Sequence, residues 1–223
     1  MNRGKKKSYA VIGLGRFGRA VAQQLYAMGH EVLAVDKDDR LVQIIADRVT
    51  QAVAADAQDE MVLKNLGIRN YDHVVVAIGD NITDSVLITL LLKELGVKRV
   101  LCKAQDMNHK KILMKIGAEN VVIPEYEMGL KVAAQISASN VIDFMALAED
   151  YGIADVHVPK KWIGKSMKTL DIRRKYGINV VAVKDSRDYD KIAIFPDADY
   201  VFAETDIIVM IGRDEQMNAI GEI

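Results

Sequence analysis

Residues Gly13-Leu14-Gly15-Arg16-Phe17-Gly18 stand between an apolar, β-prone run at 9–12 and an amphipathic stretch carrying Val21, Leu25 and Met28 at helical spacing. Three glycines so spaced in a strand-to-helix turn leave few folds open. Gly13 permits the tight turn, Gly15 lets an anion approach the backbone, and Gly18 lets helix and strand pack closely. The helix N-terminus then presents unpaired N–H groups and a partial positive charge. Asp36 closes the next apolar run, 23 residues after Gly13. An acid there can accept hydrogen bonds from ribose hydroxyls and repels a 2′-phosphate. Loop and acid together predict nucleotide binding, with NADP disfavoured.

Five further apolar runs follow the first, at 31–35, 52–55, 73–78, 99–104 and 120–123, separated by helical stretches. Near-continuous apolar strands are expected where helices cover both faces of a sheet. Parallel neighbours need crossover connections, so a doubly wound, Rossmann-like parallel α/β sheet is expected over residues 1–126. Ligands bind such sheets at the carboxyl ends of the strands. Asp56, Ala77-Ile78-Gly79 and Glu125 fall on that rim. Asp56 would face an adenine or cap a helix. Glu125 would hold a divalent cation near bound phosphates or cap the helix after it. Arg16 would point at phosphates, favouring a triphosphate, or face solvent at a helix start.

Residues 127–147 read as one long helix with Met128, Val132 and Ile136 in a stripe and more apolar residues off it. A helix apolar on several sides is buried on several sides. Either a second copy of the chain or a position between two domains would do this. The segment 127–148 is therefore a crossover or dimerisation element, and 149–223 a small α+β domain. In that domain strands are expected at 153–158, 178–183, 191–195 and 207–211 in a mixed sheet. A helix at 164–176 and a short one from 213 accompany them. No Gly/Ser linker marks the boundary near 148.

The 30 Lys and Arg balance 31 Asp and Glu, giving a net charge of −1 and no footprint for nucleic acid. The first strand begins near residue 8, leaving no room ahead of it for a DNA-reading helix pair. No apolar run approaches the ~20 residues of a membrane span, and none follows the basic start Arg3, Lys5, Lys6, Lys7 as a signal-peptide core. A single cysteine, Cys102, fits a reducing cytoplasm. The four histidines are scattered, Gly-x-Ser-x-Gly is absent, and no acid–base cluster accompanies the loop. The chain is expected to bind a nucleotide without consuming it, and so not to be an enzyme.

The segments YAVIGLGRFG, EVLAVDKD, VVVAIGDN, VLCKAQD and NVVIPE, in that order, resemble the regulator-of-potassium-conductance domain of the Trk/Ktr type. IGKSMKTLDIRRKYGINVVAV and the closing TDIIVMIG resemble that family's C-terminal regulatory domain. The resemblance implies a cytosolic gating-ring subunit of a potassium uptake system, switched by ATP versus ADP. Dimers would form an octameric ring beneath a membrane-embedded potassium-translocating subunit of the KtrB or TrkH type, at the inner face of the membrane. The family's nucleotide shell maps onto Gly13, Gly15, Arg16, Gly18, Asp36, Asp56, Ala57 and Lys103, and Leu14, Phe17, Lys37, Ala77, Ile78 and Gly79 are expected beside them in the same site. Glu125 matches the glutamate that holds Mg²⁺ or Ca²⁺ at a dimer interface. Cyclic di-AMP, in the C-terminal domain, would meet Met167, Ile172, Arg173, Asn179 and Pro196, although Lys168 departs from the apolar residue common there. Two other readings stay open: an NAD/NADH-responsive sensor of the same kind, and a small NAD-dependent oxidoreductase.

Overall fold

Alternate residues of the short β-branched runs face opposite sides of a sheet, so a run that is apolar throughout needs cover on both sides. The computed structural model, which describes residues 6–137, 141–148 and 150–221, provides it. Arg3 and Lys5 lie outside the described residues. The first six strands are β1 (Ser8–Ile12), β2 (Glu31–Asp36), β3 (Gln51–Ala54), β4 (His73–Val76), β5 (Val100–Lys103) and β6 (Asn120–Val122). Between and after them run α1 (Arg16–Ala27), α2 (Asp39–Ile45), α3 (Glu60–Asn65), α4 (Ile82–Glu94), α5 (Met107–Lys115) and α6 (Pro124–Ser137). The sheet order is β3-β2-β1-β4-β5-β6, with every pair parallel. Ala10, Ile12, Val35, Val74 and Val76 enter one core, and Val11, Val32, Ala34 and Val75 enter the other. The winding reverses between β1 and β4, which opens a crevice at their carboxyl ends.

Helix starts in this unit are mostly closed by their own sequence. Asp38, Asp59, Asn81 and Asp106 each accept from a backbone N–H of the helix they precede, starting α2, α3, α4 and α5. α1 differs: Gly15 stands at its N-cap and no side chain caps it.

The contact pattern divides the chain at Glu127/Met128, within α6. The second unit contains β7 (Val141–Ala148), β8 (Tyr151–His157), β9 (Asn179–Asp185), β10 (Asp188–Ile194) and β11 (Asp206–Arg213). Its helices after α6 are α7 (Met167–Leu170), α8 (Ile172–Tyr176) and α9 (Asp214–Gly221). The sheet order is β10-β9-β11-β8-β7. Trp162 lies in its core, 1% exposed, with its ring 5.2 Å from Tyr176 and 5.8 Å from Phe202.

The structure corrects three expectations. The long helix over 127–147 ends at Ser137, and Val141–Ala148 is strand β7, paired antiparallel with β8. The cause is two-residue alternation: Phe144 packs on the second unit's core while Met145 and Leu147 are exposed. Residues 138–140 of that expected helix lie outside the described residues. The helix over 164–176 is two short helices, α7 and α8, hinged at Asp171, whose φ of 47° is left-handed. The small sheet is antiparallel in every pair, not mixed.

Candidate nucleotide cleft

The glycine loop is held from below. Gly13 N–H donates to the Val35 carbonyl at 2.8 Å, and Leu14 N–H to Asp36 Oδ2 at 2.6 Å. Gly13 adopts a φ of +94°, which favours glycine. A Cβ at Gly18 would collide with the Gly13 carbonyl oxygen, so helix α1 approaches the loop as closely as it does only without a side chain there. At Gly15 a Cβ would meet nothing within 4 Å. The loop's outer face is thus open, above an uncapped helix end with its partial positive charge.

This loop forms one wall of a cleft of ≈ 270 Å³. The cleft brings together Gly13, Gly15, Asp36, Lys37, Asp56, Ala57, Ala77, Ile78 and Gly79 from the expected shell. Leu14 and Phe17 turn their side chains into the core below the loop, and Gly18 is buried behind Gly13. Arg16 is exposed and lines a separate surface hollow with Arg19 and Arg48. The sequence reading missed Gln58, Asp80, Asn81 and Asp84 on the cleft wall. The Gly79-Asp80-Asn81 turn after the fourth strand carried the signal, since α4 begins there on the same rim.

Asp36 has two duties. Besides Leu14, the Asp38 N–H donates to its Oδ1 at 2.8 Å. Each oxygen of a carboxylate has a second lone pair, so acceptor capacity toward the cleft remains. Asp56 does not cap α3, a role taken by Asp59; its Oδ1 accepts from Gln58 N–H at 3.0 Å in a local turn. Four carboxylates line the cleft, from Asp36, Asp56, Asp80 and Asp84, against one ammonium. That ammonium, Lys37 Nζ, lies 3.6 Å from Asp84 Oδ2.

Lys103 and Glu125 meet beside the cleft, Nζ to Oε1 at 2.6 Å. The Lys103 hydrogen bond holds the Glu125 carboxyl below the usual carboxylate range. Glu127 serves the start of α6: its Oε1 accepts from Ile123 N–H at 3.2 Å; the Glu125 carboxylate accepts from its own backbone N–H besides Lys103. Gln105 Nε2 donates to the Gly79 carbonyl, tying the β5 end to the cleft's rim. Among the described residues, no group of three or more His, Cys, Asp or Glu is arranged to hold a metal ion. Cys102 is buried against Thr89, and burial pushes its thiol up to about 11, so it is a core residue rather than a nucleophile.

In the second unit, Met167, Ile172, Arg173 and Asn179 line one hollow of ≈ 320 Å³, together with Lys168 and Asp171. Pro196 is not in its lining.

No helix among the described residues is long and apolar enough to cross a membrane. The TrkA-N domain matches residues 9–124 and the TrkA-C domain residues 153–223. Ktr system potassium uptake protein C of Bacillus subtilis (strain 168) is 45% identical over 207 residues, which is 93% of this chain and 92% of that one. Ktr system potassium uptake protein A of the same organism is 42% identical over 217 residues, 97% of this chain and 96% of that one. The crystal structure of the GsuK RCK domain shares the fold, with a TM-score of 0.67 at 16% identity over 99% of this chain. This chain spans about half, 48%, of that longer one. Two domain matches in the expected order, with close relatives along nearly the whole length, make this chain a member of the family of Ktr-type potassium uptake proteins built from TrkA-N and TrkA-C domains.

Proposed function

We propose that the chain is a nucleotide-sensing regulatory subunit of a potassium uptake system, that ATP and ADP compete for the first unit's cleft, and that neither is consumed. The observation that carries this reading is the uncapped N-terminus of α1 beneath the Gly13–Gly18 turn, with Asp36 reaching into the same cleft. The helix end suits phosphates and the carboxylate suits a ribose. The surplus of carboxylates in the cleft disfavours a 2′-phosphate. Arg16, exposed at the first position of α1, is the residue proposed to sense the γ-phosphate. Glu125 would hold Mg²⁺ or Ca²⁺, with phosphate oxygens and water completing the shell, since a single carboxylate cannot. NAD or NADH is the second reading, favoured by the same Asp36, which serves any unphosphorylated ribose.

The proposed assembly is a dimer built into a ring on a membrane-embedded potassium-translocating subunit, at the membrane's inner face. Along α6, Tyr126, Met128, Leu130, Val132 and Ile136 are all exposed in the single chain, the last at 80%. So much apolar surface on one helix supports burial against another copy. The Arg173 hollow, with Met167, Ile172 and Asn179 in its lining, is the proposed cyclic di-AMP site.

A thermal-shift panel of ATP, ADP, NAD, NADH and cyclic di-AMP, each with and without Mg²⁺ or Ca²⁺, tests the reading. A ligand at about 100 times its Kd adds about 2.7 kcal/mol. ATP and ADP are expected to stabilise more than NAD. Arg16→Ala is expected to narrow the ATP-over-ADP preference in calorimetry; an unchanged preference removes Arg16 from the switch.

A further inference from the structure

His109, in the first turn of α5, is 1% exposed. Its Nδ1 accepts from the Gln105 N–H at 3.2 Å, while its Nε2 is buried without a hydrogen-bond partner among the described residues. A backbone N–H can only donate, so Nδ1 is unprotonated and the ring is the neutral tautomer with its hydrogen on Nε2. An orphaned N–H in a core is a cost that a leucine would not carry. What the imidazole supplies is an acceptor for residue 105. The same stretch is held again by Asp106, whose Oδ1 accepts from the His109 N–H at 2.8 Å. Gln105, so placed, extends its carboxamide to the Gly79 carbonyl on the cleft wall. Gly79 begins the turn that runs through Asp80 to Asn81, the cap of α4, and all three residues line the cleft.

We propose that His109 is a positioning residue for the nucleotide cleft, holding Gln105 and through it the Gly79 turn while neutral, and releasing both when protonated. The inference rests on that cleft being the nucleotide site. A second proton has to go on Nδ1, where it faces the Gln105 N–H, donor against donor. The bond is then lost and the carboxamide is no longer aimed at Gly79. Ordering the turn falls to the ligand, which weakens binding. The charged surroundings of the ring are sparse. α4 and β6 pack against α5. β6 carries no charged side chain. On α4, Asp84 is engaged by Lys37, Lys93 donates to the Val97 and Lys98 carbonyls, and Glu94 is exposed. α5 itself adds Lys110, Lys111 and Lys115. Burial disfavours the imidazolium and outweighs the Asp106 carboxylate, which favours it, so His109 titrates below the usual histidine range. The held state is therefore complete at neutral pH and is lost as the pH falls through that depressed value.

The experiment is calorimetry of ADP binding to the full chain from about pH 8 to about pH 5, within the range where circular dichroism shows it folded. Titration of the ADP phosphate is common to every variant and cancels in the ratio to native. His109→Asn keeps an uncharged acceptor for the Gln105 N–H. Native affinity is expected to fall about fivefold more than that of His109→Asn across the range, the worth of one hydrogen bond. Gln105→Met leaves the histidine packed and removes the donor to Gly79. It should bind more weakly than native near neutral pH, match it at the acidic end, and stand in if His109→Asn fails to fold. Parallel pH profiles for native and His109→Asn overturn the proposal. So does a Gln105→Met protein that keeps the native pH dependence. A native protein that binds neither ADP nor ATP at neutral pH removes the reading of the cleft itself, and the proposal with it.

Discussion

A Cβ at Gly18 would run into the Gly13 carbonyl oxygen, whereas one at Gly15 would point into open space. The two glycines of one motif therefore differ: close packing requires the first, and the second leaves open space where the proposed nucleotide would approach. Gly18→Ala is expected to lower stability by about 1–3 kcal/mol through overpacking, measured by denaturant unfolding. Gly15→Ala should leave the melting curve nearly unchanged and weaken nucleotide binding. This division was legible in the spacing alone, because the motif's physical logic assigns each glycine its task. Asp36 was only half legible. Its place at the end of β2, on the cleft, was legible, but its bond to Leu14 N–H depends on how the loop folds back over β2. Glu125 was ambiguous from sequence because Glu127, two positions on, shares the first turn and accepts the Ile123 N–H there.

Among the elements, α4 connects local capping to the cleft. Asn81 accepts from Asp84 N–H at 3.2 Å, and both residues line the cleft. Asn81→Ala is expected to cost about 1 kcal/mol of stability through the lost cap. It should also weaken nucleotide binding, read by the ligand-induced shift in melting temperature. The six parallel strands were readable because their apolar runs satisfy two buried faces at once. Strand β7 was not. Its sequence, VIDFMALA, mixes helix formers with an alternation visible only when Phe144 has a core to enter. Across the hairpin, Gly152 makes room for that ring, since any Cβ there would meet it. Pairing with β8 overrides the local preference. The break at Asp171 was hidden for a related reason, as aspartate tolerates the left-handed region without announcing it.

At the scale of the whole molecule, each unit closes its own core, and α6 runs through the division between them. The exposed apolar side chains of α6 carry the prediction for assembly. Ile136→Glu should reduce the assembled mass in light scattering while leaving nucleotide binding by the first unit in place. A native-sized assembly from that variant would shift the interface elsewhere. The two-domain order was legible because the alternation of apolar runs and helical stretches stops after residue 126, whereas the strand that begins the second sheet was absorbed into the preceding helix. Asp36 also limits how this chain could be retargeted. One carboxylate braces the glycine turn and lines the cleft, so exchanging it for a small apolar residue to admit a phosphorylated sugar would strand the Leu14 amide. A redesign that began with asparagine would drop the negative charge and keep one oxygen for the Leu14 amide, but its NH2 would then face the Asp38 N–H that the other carboxylate oxygen accepts, so a second change near Asp38 would have to accompany it.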